Sequence, residues 1–156
     1  QVAVVAAGGK VEKASNGSHI GIAFDIEINS NGQKHPIYKD KQHKFCSPAF
    51  NFDEVVTLPK DTILLASNKV NKISSISFKH EKSEIWGIQY HPEIKYEKMI
   101  ELINFRKDRL INQRKAFKTY SEIDYHISLI KNELSKSGIN HRMLELRNWL
   151  GSINGN

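Results

Sequence analysis

The chain has 156 residues and a mass of 17.9 kDa, enough for one domain with its own hydrophobic core. Hydrophobic residues make up 39% of the sequence and charged residues 26%, which argues against a wholly disordered or fibrous chain. No apolar run approaches the ~18 residues of a membrane span, so we do not expect a membrane protein. The single cysteine excludes an internal disulfide, which favours a reducing, cytoplasmic compartment.

The net charge of +6 is concentrated in the C-terminal third of the chain. Residues 1–94 carry 11 Lys and Arg against 10 Asp and Glu, whereas residues 95–156 carry 12 against 7. A basic excess of this kind can attract nucleic acid or an acidic surface. No motif that reads DNA or RNA accompanies it, so we interpret it as the solvated faces of helices rather than a nucleic-acid site.

The first third of the chain contains one ambiguous element and one predicted strand. Residues Gln1–Ala7 are rich in Val and Ala, which fits either a strand or a helix, and two glycines then end the element. Residues Ile20–Ile28 place apolar side chains at alternating positions, a pattern typical of a strand. The following Asn29–Gly32 is a cluster of turn-forming residues, so we predict a turn there.

Three further strands precede a change of period at residue 94. They are predicted over Thr62–Ser67, Lys72–Phe78 and Glu84–Tyr90, the last being rich in aromatic and β-branched residues. Short strands followed by covering helices predict an α/β or α+β layered fold. We therefore divide the chain into residues 1–94 and a helical segment, residues 95–156, that packs on the same domain.

Three amphipathic helices are predicted in the second part. Apolar residues at helical spacing begin at Tyr96 and define the first helix. The second is predicted to have Ser121 as its N-cap and to stop near Gly138. The third is short and is predicted to end at Gly151.

The sharpest chemical signal is the run Gly87–Glu93, in which an apolar strand leads into His-Pro-Glu. Pro92 stops the strand, and the spacing allows the Glu93 carboxylate to turn back and accept the imidazole N–H of His91. A base with a carboxylate that orients it forms two-thirds of a nucleophilic triad. Taken alone, a His-x-Glu pattern also fits a capping or solvated histidine.

With this motif the sequence resembles the class I glutamine amidotransferases, whose signature near the C-terminus is an apolar strand running into His-Pro-Glu. Residues Gln1–Val11 look like the helix and turn that follow that family's nucleophile elbow, C-x-G-x-Q, with Gln1 as its closing glutamine. Residues Asp53–Val55, followed by Leu58 and a proline, are similar to the family's D-E-V-x-x-L-P segment. Within the family the chain is most similar to the GMP-synthase-like, stand-alone branch, whose tail resembles Ile94–Ile111 and Leu144–Leu150.

The resemblance implies a flavodoxin-like α/β sheet with covering helices, to which this chain adds helices at its C-terminal end. It also implies a Cys-His-Glu triad that hydrolyses glutamine to glutamate and ammonia, in which His91 moves the proton and Glu93 orients His91. Gln1 would help to hold glutamine, and Asp53 is a weaker candidate for the same pocket. No cofactor is expected. A synthetase partner or a fused domain would accept the ammonia.

One member of the implied triad falls outside this sequence. In C-x-G-x-Q the cysteine lies four residues before the glutamine, hence upstream of Gln1, and the missing initiator Met likewise indicates that the chain begins inside a longer one. We therefore expect the N-terminal part of the amidotransferase domain to precede Gln1. Two alternatives stay open: a pseudo-enzyme or binding module that lacks the nucleophile and uses its basic helices, and a γ-glutamyl hydrolase with the same triad.

The remaining cysteine and histidines give weaker signals. Cys46 lies among apolar neighbours and before a proline, which favours a buried, unreactive thiol. His43 and Cys46 have half of a metal-binding spacing without the other half, so no metal site is predicted. Asn51 occupies a position where family members often have His. The six histidines other than His91, including His19 and His126, are expected on the surface.

Overall fold

The computed structural model describes residues 1–136 and 139–154 and shows an α/β fold with strands first and long helices last. The strands are β1 (Lys10–Lys13), β2 (His19–Ile20), β3 (Ala23–Ile28), β4 (Lys44–Ser47), β5 (Phe50–Asn51), β6 (Asp53–Thr57), β7 (Ile63–Ser67), β8 (Ser75–His80) and β9 (Ser83–Ile88). The helices are α1 (Val2–Ala6), α2 (Ser30–Lys34), α3 (Tyr96–Asn112), α4 (Tyr120–Lys136), α5 (Ile139–Arg142) and α6 (Leu144–Asn154), with a short 3₁₀ helix at Pro36–Tyr38.

The central element is a five-stranded sheet with the strand order β4-β3-β7-β8-β9. All of its neighbouring strands are antiparallel, and β8 pairs with β9 over their full length, from Ser75 opposite Ile88 to His80 opposite Ser83. Two small antiparallel pairs, β1 with β6 and β2 with β5, lie beside it. Strand β9 is at the sheet edge, and its C-terminal end leads directly to His91.

The continuous strand predicted over Ile20–Ile28 is interrupted at Gly21. This glycine has a φ of 82°, and a Cβ built on it would lie 2.6 Å from Cδ1 of Ile103 and 2.8 Å from Cδ1 of Ile130. A left-handed backbone and close contact with two helices both require glycine here. The chain therefore bends, and two strands, β2 and β3, replace the single one.

The turn predicted at Asn29–Gly32 is a short helix instead. The Asn29 side chain accepts hydrogen bonds from the backbone N–H groups of Asn31 and Gly32, at 3.0 and 2.9 Å, and so caps α2. Asn is favoured both in turns and at helix N-caps because its side chain can bond nearby backbone groups. The sequence correctly predicts that the chain reverses direction here, but the element is a short helix and not a turn.

The three later strand predictions are confirmed, with shifted bounds. The strand predicted from Thr62 is β7, the one predicted from Lys72 begins only at Ser75, and the one predicted to reach Tyr90 ends at Ile88. The boundary that we predict between residues 94 and 95 coincides with the change from strands to helices. The division into residues 1–94 and a helical segment, residues 95–156, that packs on the same domain stays a prediction.

The helical stripes are confirmed, but two predicted helix ends are wrong. Thr119, not Ser121, is the N-cap of α4: its Oγ1 accepts the Glu122 N–H at 3.2 Å, and the Glu122 carboxylate accepts the Lys118 N–H at 2.7 Å. The predicted stop near Gly138 lies outside the described residues. Helix α6 continues through Gly151, since a glycine weakens a helix by only about 1 kcal/mol relative to Ala and does not by itself end one.

Among the described residues, no helix is both long and apolar enough to cross a membrane.

Helices α3 and α4 cover the β2–β3 side of the strands and form a large apolar core with them. The buried members of this core come from β2, the bend and the two helices: Ile20, Ile22, Tyr96, Ile103, Leu110, Ile123, Ile127 and Ile130.

The prediction that His19 and His126 lie on the surface is wrong. His19 is 4% exposed, and its Nε2 lies 3.3 Å from Nδ2 of Asn68, which therefore donates to a neutral ring. Burial lowers the His19 pKa to about 4, and a backbone hydrogen bond with Ile22 offsets part of that shift. Burial also lowers the pKa of His126, whose Nε2 is 2.6 Å from the Ile20 carbonyl oxygen.

Replacement of Gly21 is expected to destabilise the protein. In Gly21→Ala the added Cβ meets the two isoleucines and the left-handed backbone becomes strained, so we expect a loss of about 1–3 kcal/mol in the free energy of unfolding. Gly151→Ala is the matched control, because a Cβ there meets nothing and Ala favours the helix by roughly 0.5–1 kcal/mol. Urea denaturation of both variants measures the effect, and equal stabilities would contradict this account.

The free energy of unfolding is expected to decrease as the pH is lowered, because His19 titrates. Between pH 6.5 and about 4 the unfolded ring binds a proton that the folded ring does not, so lowering the pH favours unfolding, by up to about 3 kcal/mol. His19→Gln removes this titration and should flatten the pH dependence of the unfolding free energy in that window. The exposed His80 provides the control, and a His19→Gln curve parallel to that of His80→Gln would refute the prediction.

Candidate active site

The chain beyond β9 carries His91 at the edge of the sheet and is fixed there by its backbone. The His91 N–H donates to the Pro48 carbonyl oxygen at 2.7 Å, and the Ile94 N–H donates to the His91 carbonyl oxygen at 3.1 Å. The second bond closes a turn around Pro92, which cannot continue a strand because it has no N–H. The histidine is therefore presented at the start of a hydrogen-bonded turn.

His91 and Glu93 are in direct contact. Nδ1 of His91 lies 2.8 Å from Oε1 of Glu93, and the two side chains are 46% and 49% exposed. A carboxylate can only accept in this contact, so the hydrogen lies on Nδ1 of His91. Within the described part of the chain no group hydrogen-bonds Nε2 of His91, so this nitrogen is available to exchange a proton with a reactant.

Gln1 lies close to this turn through a chain of amide contacts. Its Nε2 donates to the Asp53 carbonyl oxygen at 2.8 Å and to Oε1 of Gln89 at 3.2 Å. Gln89 is itself held in place, because its Nε2 donates to the Ile73 carbonyl oxygen at 2.8 Å. The start of α1, strand β6 and the end of β9 therefore meet at Gln1, and its partner Gln89 precedes His91 by two residues.

A cleft of about 240 Å³ is lined in part by Gln1. Its polar wall includes Asn51 and Asp53, and Nδ2 of Asn51 donates to the Asp53 carbonyl oxygen at 2.9 Å. The Asp53 side chain is exposed. The structure brings Gln1 and Asp53 to one cleft, while His91 and Glu93 lie outside its lining. The roles that we assign to these four residues stay predictions.

Three arginines complete the cleft, and sequence reasoning did not single them out. Arg106, Arg109 and Arg114 line it, and none of them has a carboxylate ion-pair partner among the described residues. The guanidinium of Arg106 lies 5.4 Å from the ring centre of Phe50, and that of Arg114 lies 4.5 Å from the ring centre of Phe52. The C-terminal basic excess was the one available signal, but it did not show that Arg106 and Arg109 of α3 and Arg114, just beyond the end of α3, line the same cleft.

The one cysteine in the sequence is not a candidate nucleophile. Cys46 lies half-buried in β4, and burial raises the pKa of its thiol to about 11. The thiol is therefore protonated at neutral pH, in line with the prediction of an unreactive side chain. Among the residues that the structure describes, no cluster of three or more His, Cys, Asp and Glu side chains is arranged to hold a metal ion.

Comparisons of sequence define the family. The model of the class-I glutamine amidotransferases matches residues 1–107, and the chain belongs to that family. A γ-glutamyl-L-1-hydroxyisopropylamide hydrolase from a Pseudomonas species is 30% identical over 98% of this chain and 58% of its own length. A subunit of the glutamine-hydrolysing GMP synthase from Methanococcus vannielii is 29% identical over 64% of this chain and 50% of its own.

Solved structures agree with the fold. A glutamine amidotransferase from Thermotoga maritima has a TM-score of 0.59 at 17% identity and is matched over 94% of this chain and 55% of its own. One from Methylobacillus flagellatus has a TM-score of 0.57 at 11% identity, over 95% and 59%. The expected flavodoxin-like α/β fold is thereby confirmed. The chain spans about half the length of the curated relatives that it matches.

Proposed function

We propose that the full-length protein hydrolyses the side-chain amide of glutamine to glutamate and ammonia through a Cys-His-Glu triad. The observation that carries this proposal is the 2.8 Å contact of Glu93 with Nδ1 of His91, a half-exposed ring whose other nitrogen is left for a reactant. A histidine oriented in this way is suited to activate a nucleophile. The cysteine would be supplied by the segment preceding Gln1, four residues upstream.

The reaction would use His91 first as a base and then as an acid. Nε2 takes the thiol proton, the thiolate attacks the amide carbon, and the imidazolium returns the proton to the nitrogen as the C–N bond breaks and ammonia leaves. Water, losing a proton to His91, then attacks the γ-glutamyl thioester, and the C–S bond breaks to release glutamate and the thiol. The Glu93 carboxylate stabilises the imidazolium in both steps.

The cleft beside Gln1 would hold the amino-acid end of the substrate. Glutamine carries a carboxylate and an ammonium group, and the cleft offers three arginines and the exposed carboxylate of Asp53 to them. Arginine recognises carboxylates well because its donors form a rigid fork. The Gln1 side chain, fixed by two hydrogen bonds, would form the wall between this cleft and His91.

A synthetase, either as a separate polypeptide or as a fused domain, would use the ammonia. The similarity to the Methanococcus GMP synthase protein supports this part of the proposal, since that protein is named as one subunit of a glutamine-hydrolysing enzyme. The identity of the acceptor follows from the partner and not from the amidotransferase fold.

Removal of the imidazole tests the triad. In the full-length protein His91→Ala should lower kcat for glutamine hydrolysis by about 10²–10⁴-fold, since it removes the group that carries the proton. Glu93→Gln should also lower kcat, because it removes the charge that stabilises the protonated ring. Release of ammonia measured in a coupled assay follows both effects.

An exposed histidine on the same sheet gives the control for this experiment. His80 ends β8 away from the turn, and His80→Ala should retain the wild-type kcat. Wild-type turnover in His91→Ala would reject the triad. Absence of glutamine hydrolysis in the wild-type full-length protein would instead favour a pseudo-enzyme.

A second candidate function is the hydrolysis of a substituted γ-glutamyl amide by the same triad. The similarity over 98% of this chain to a γ-glutamyl-L-1-hydroxyisopropylamide hydrolase favours it. The two substrates share the γ-glutamyl half and differ only in the leaving amine. The residues that hold the amino-acid end would therefore serve both reactions, and the region that receives the amine would decide between them.

Substrate profiling separates these two functions. We expect kcat/KM of the full-length protein to be higher for glutamine than for γ-glutamyl ethylamide, because ammonia is the smaller leaving group. Glutamate release from each substrate measures this, and the His91→Ala variant should be inactive on both. A higher kcat/KM for the substituted amide would assign the protein to the γ-glutamyl hydrolases.

A further inference from the structure

The C-terminal helices reach the sheet at the strand end that carries His91. Glu145 of α6 is only 1% exposed, and its Oε1 accepts the hydroxyl hydrogen of Tyr90 at 2.9 Å. Its Oε2 lies 2.9 Å from Nζ of Lys41, whose side chain is 2% exposed. Tyr90 directly precedes His91, so a buried ion pair fixes the chain immediately before the histidine.

A second contact from the same helices fixes the chain after the histidine. Arg142, at the end of α5, is 8% exposed, and its Nη1 donates to the carbonyl oxygens of both Pro92 and Ile94. These are the residues on either side of Glu93. One buried guanidinium therefore spans the turn that carries the carboxylate.

The Glu93 carboxylate has little else to hold it. Its side chain is 49% exposed, and His91 is its sole hydrogen-bond partner within the described part of the chain. A half-exposed side chain keeps its orientation only if the backbone beneath it does not move. That backbone is bonded to Arg142 at both neighbouring positions.

We propose that Arg142 is a positioning residue that holds the turn 92–94 so that Glu93 stays in contact with Nδ1 of His91. This inference rests on the proposed function, in which the contact orients the catalytic base. Small displacements of a catalytic group are costly: a misplacement of about 1 Å can lower a rate by about 10²-fold. Arg142 acts through the backbone and is not among the residues that line the cleft beside Gln1.

Arginine suits this position because one nitrogen with two hydrogens bonds two carbonyls while the charge stays fixed at any working pH. A lysine would keep the charge and several hydrogens on a shorter side chain. We therefore expect Arg142→Lys to retain part of the function and Arg142→Ala to retain the least.

The experiment compares two contacts that the C-terminal helices make with the rest of the fold. Arg142→Ala removes a donor to two carbonyls beside Glu93. Asn148→Ala removes a donor from α6 to two carbonyls elsewhere, those of Ile37 and Lys39, each at 2.9 Å. Both variants lose two hydrogen bonds to backbone, but only the first loses them at the turn with His91.

In the full-length protein Arg142→Ala should lower kcat for glutamine by about 10²-fold with KM unchanged, since the cleft beside Gln1 is intact. Arg142→Lys should fall between it and the wild type. Asn148→Ala should keep the wild-type kcat, although we expect the melting temperatures of both Asn148→Ala and Arg142→Ala to fall. If Arg142→Ala does not fold, the kcat of Arg142→Lys relative to Asn148→Ala carries the test.

Three results would overturn the positioning role: equal kcat losses in the Arg142 and Asn148 variants, a wild-type kcat in Arg142→Ala, or an effect on KM alone. A failure of the proposed function has a different signature, because His91→Ala would then retain activity or the wild-type protein would have none. The two proposals can therefore fail separately.

Discussion

The buried carboxylate of Glu145 constrains how the two parts of the chain fit together. A charge removed from water costs several kcal/mol unless it is paired and hydrogen-bonded, and Lys41 and Tyr90 satisfy it from the sheet side. Burial lowers the pKa of Lys41, and the nearby carboxylate offsets part of that shift. Any arrangement of α6 that separates these groups leaves a charge unpaired, so the pair selects one position of the helix.

The local sequence pattern predicted regular strands and helices. It failed where contacts with residues distant along the chain determine the structure. The alternation that ends at Ile28 and the helical stripe that begins at Tyr96 both correspond to observed elements. The break at Gly21 depends on contact with helices far along the chain, and no local pattern contains that information. His19 was expected on the surface for the same reason, since its partner Asn68 lies 49 residues away.

The candidate site likewise contains some contacts that the local sequence predicts and others that it does not. The contact of His91 with Glu93 could be anticipated because only a proline separates the two residues along the chain. The association of Gln1 with Asp53 followed from resemblance to a family and not from spacing. Arg142 could not be found in advance, because its carbonyl partners are about fifty residues earlier and a carbonyl has no sequence signature.

The half-buried thiol in β4 has a consequence for chemical labelling. Alkylating reagents attack thiolates, and burial, which raises the pKa of Cys46 to about 11, keeps its thiol protonated at pH 7. This side chain therefore contributes almost no background when a full-length protein is treated with iodoacetamide under mild conditions.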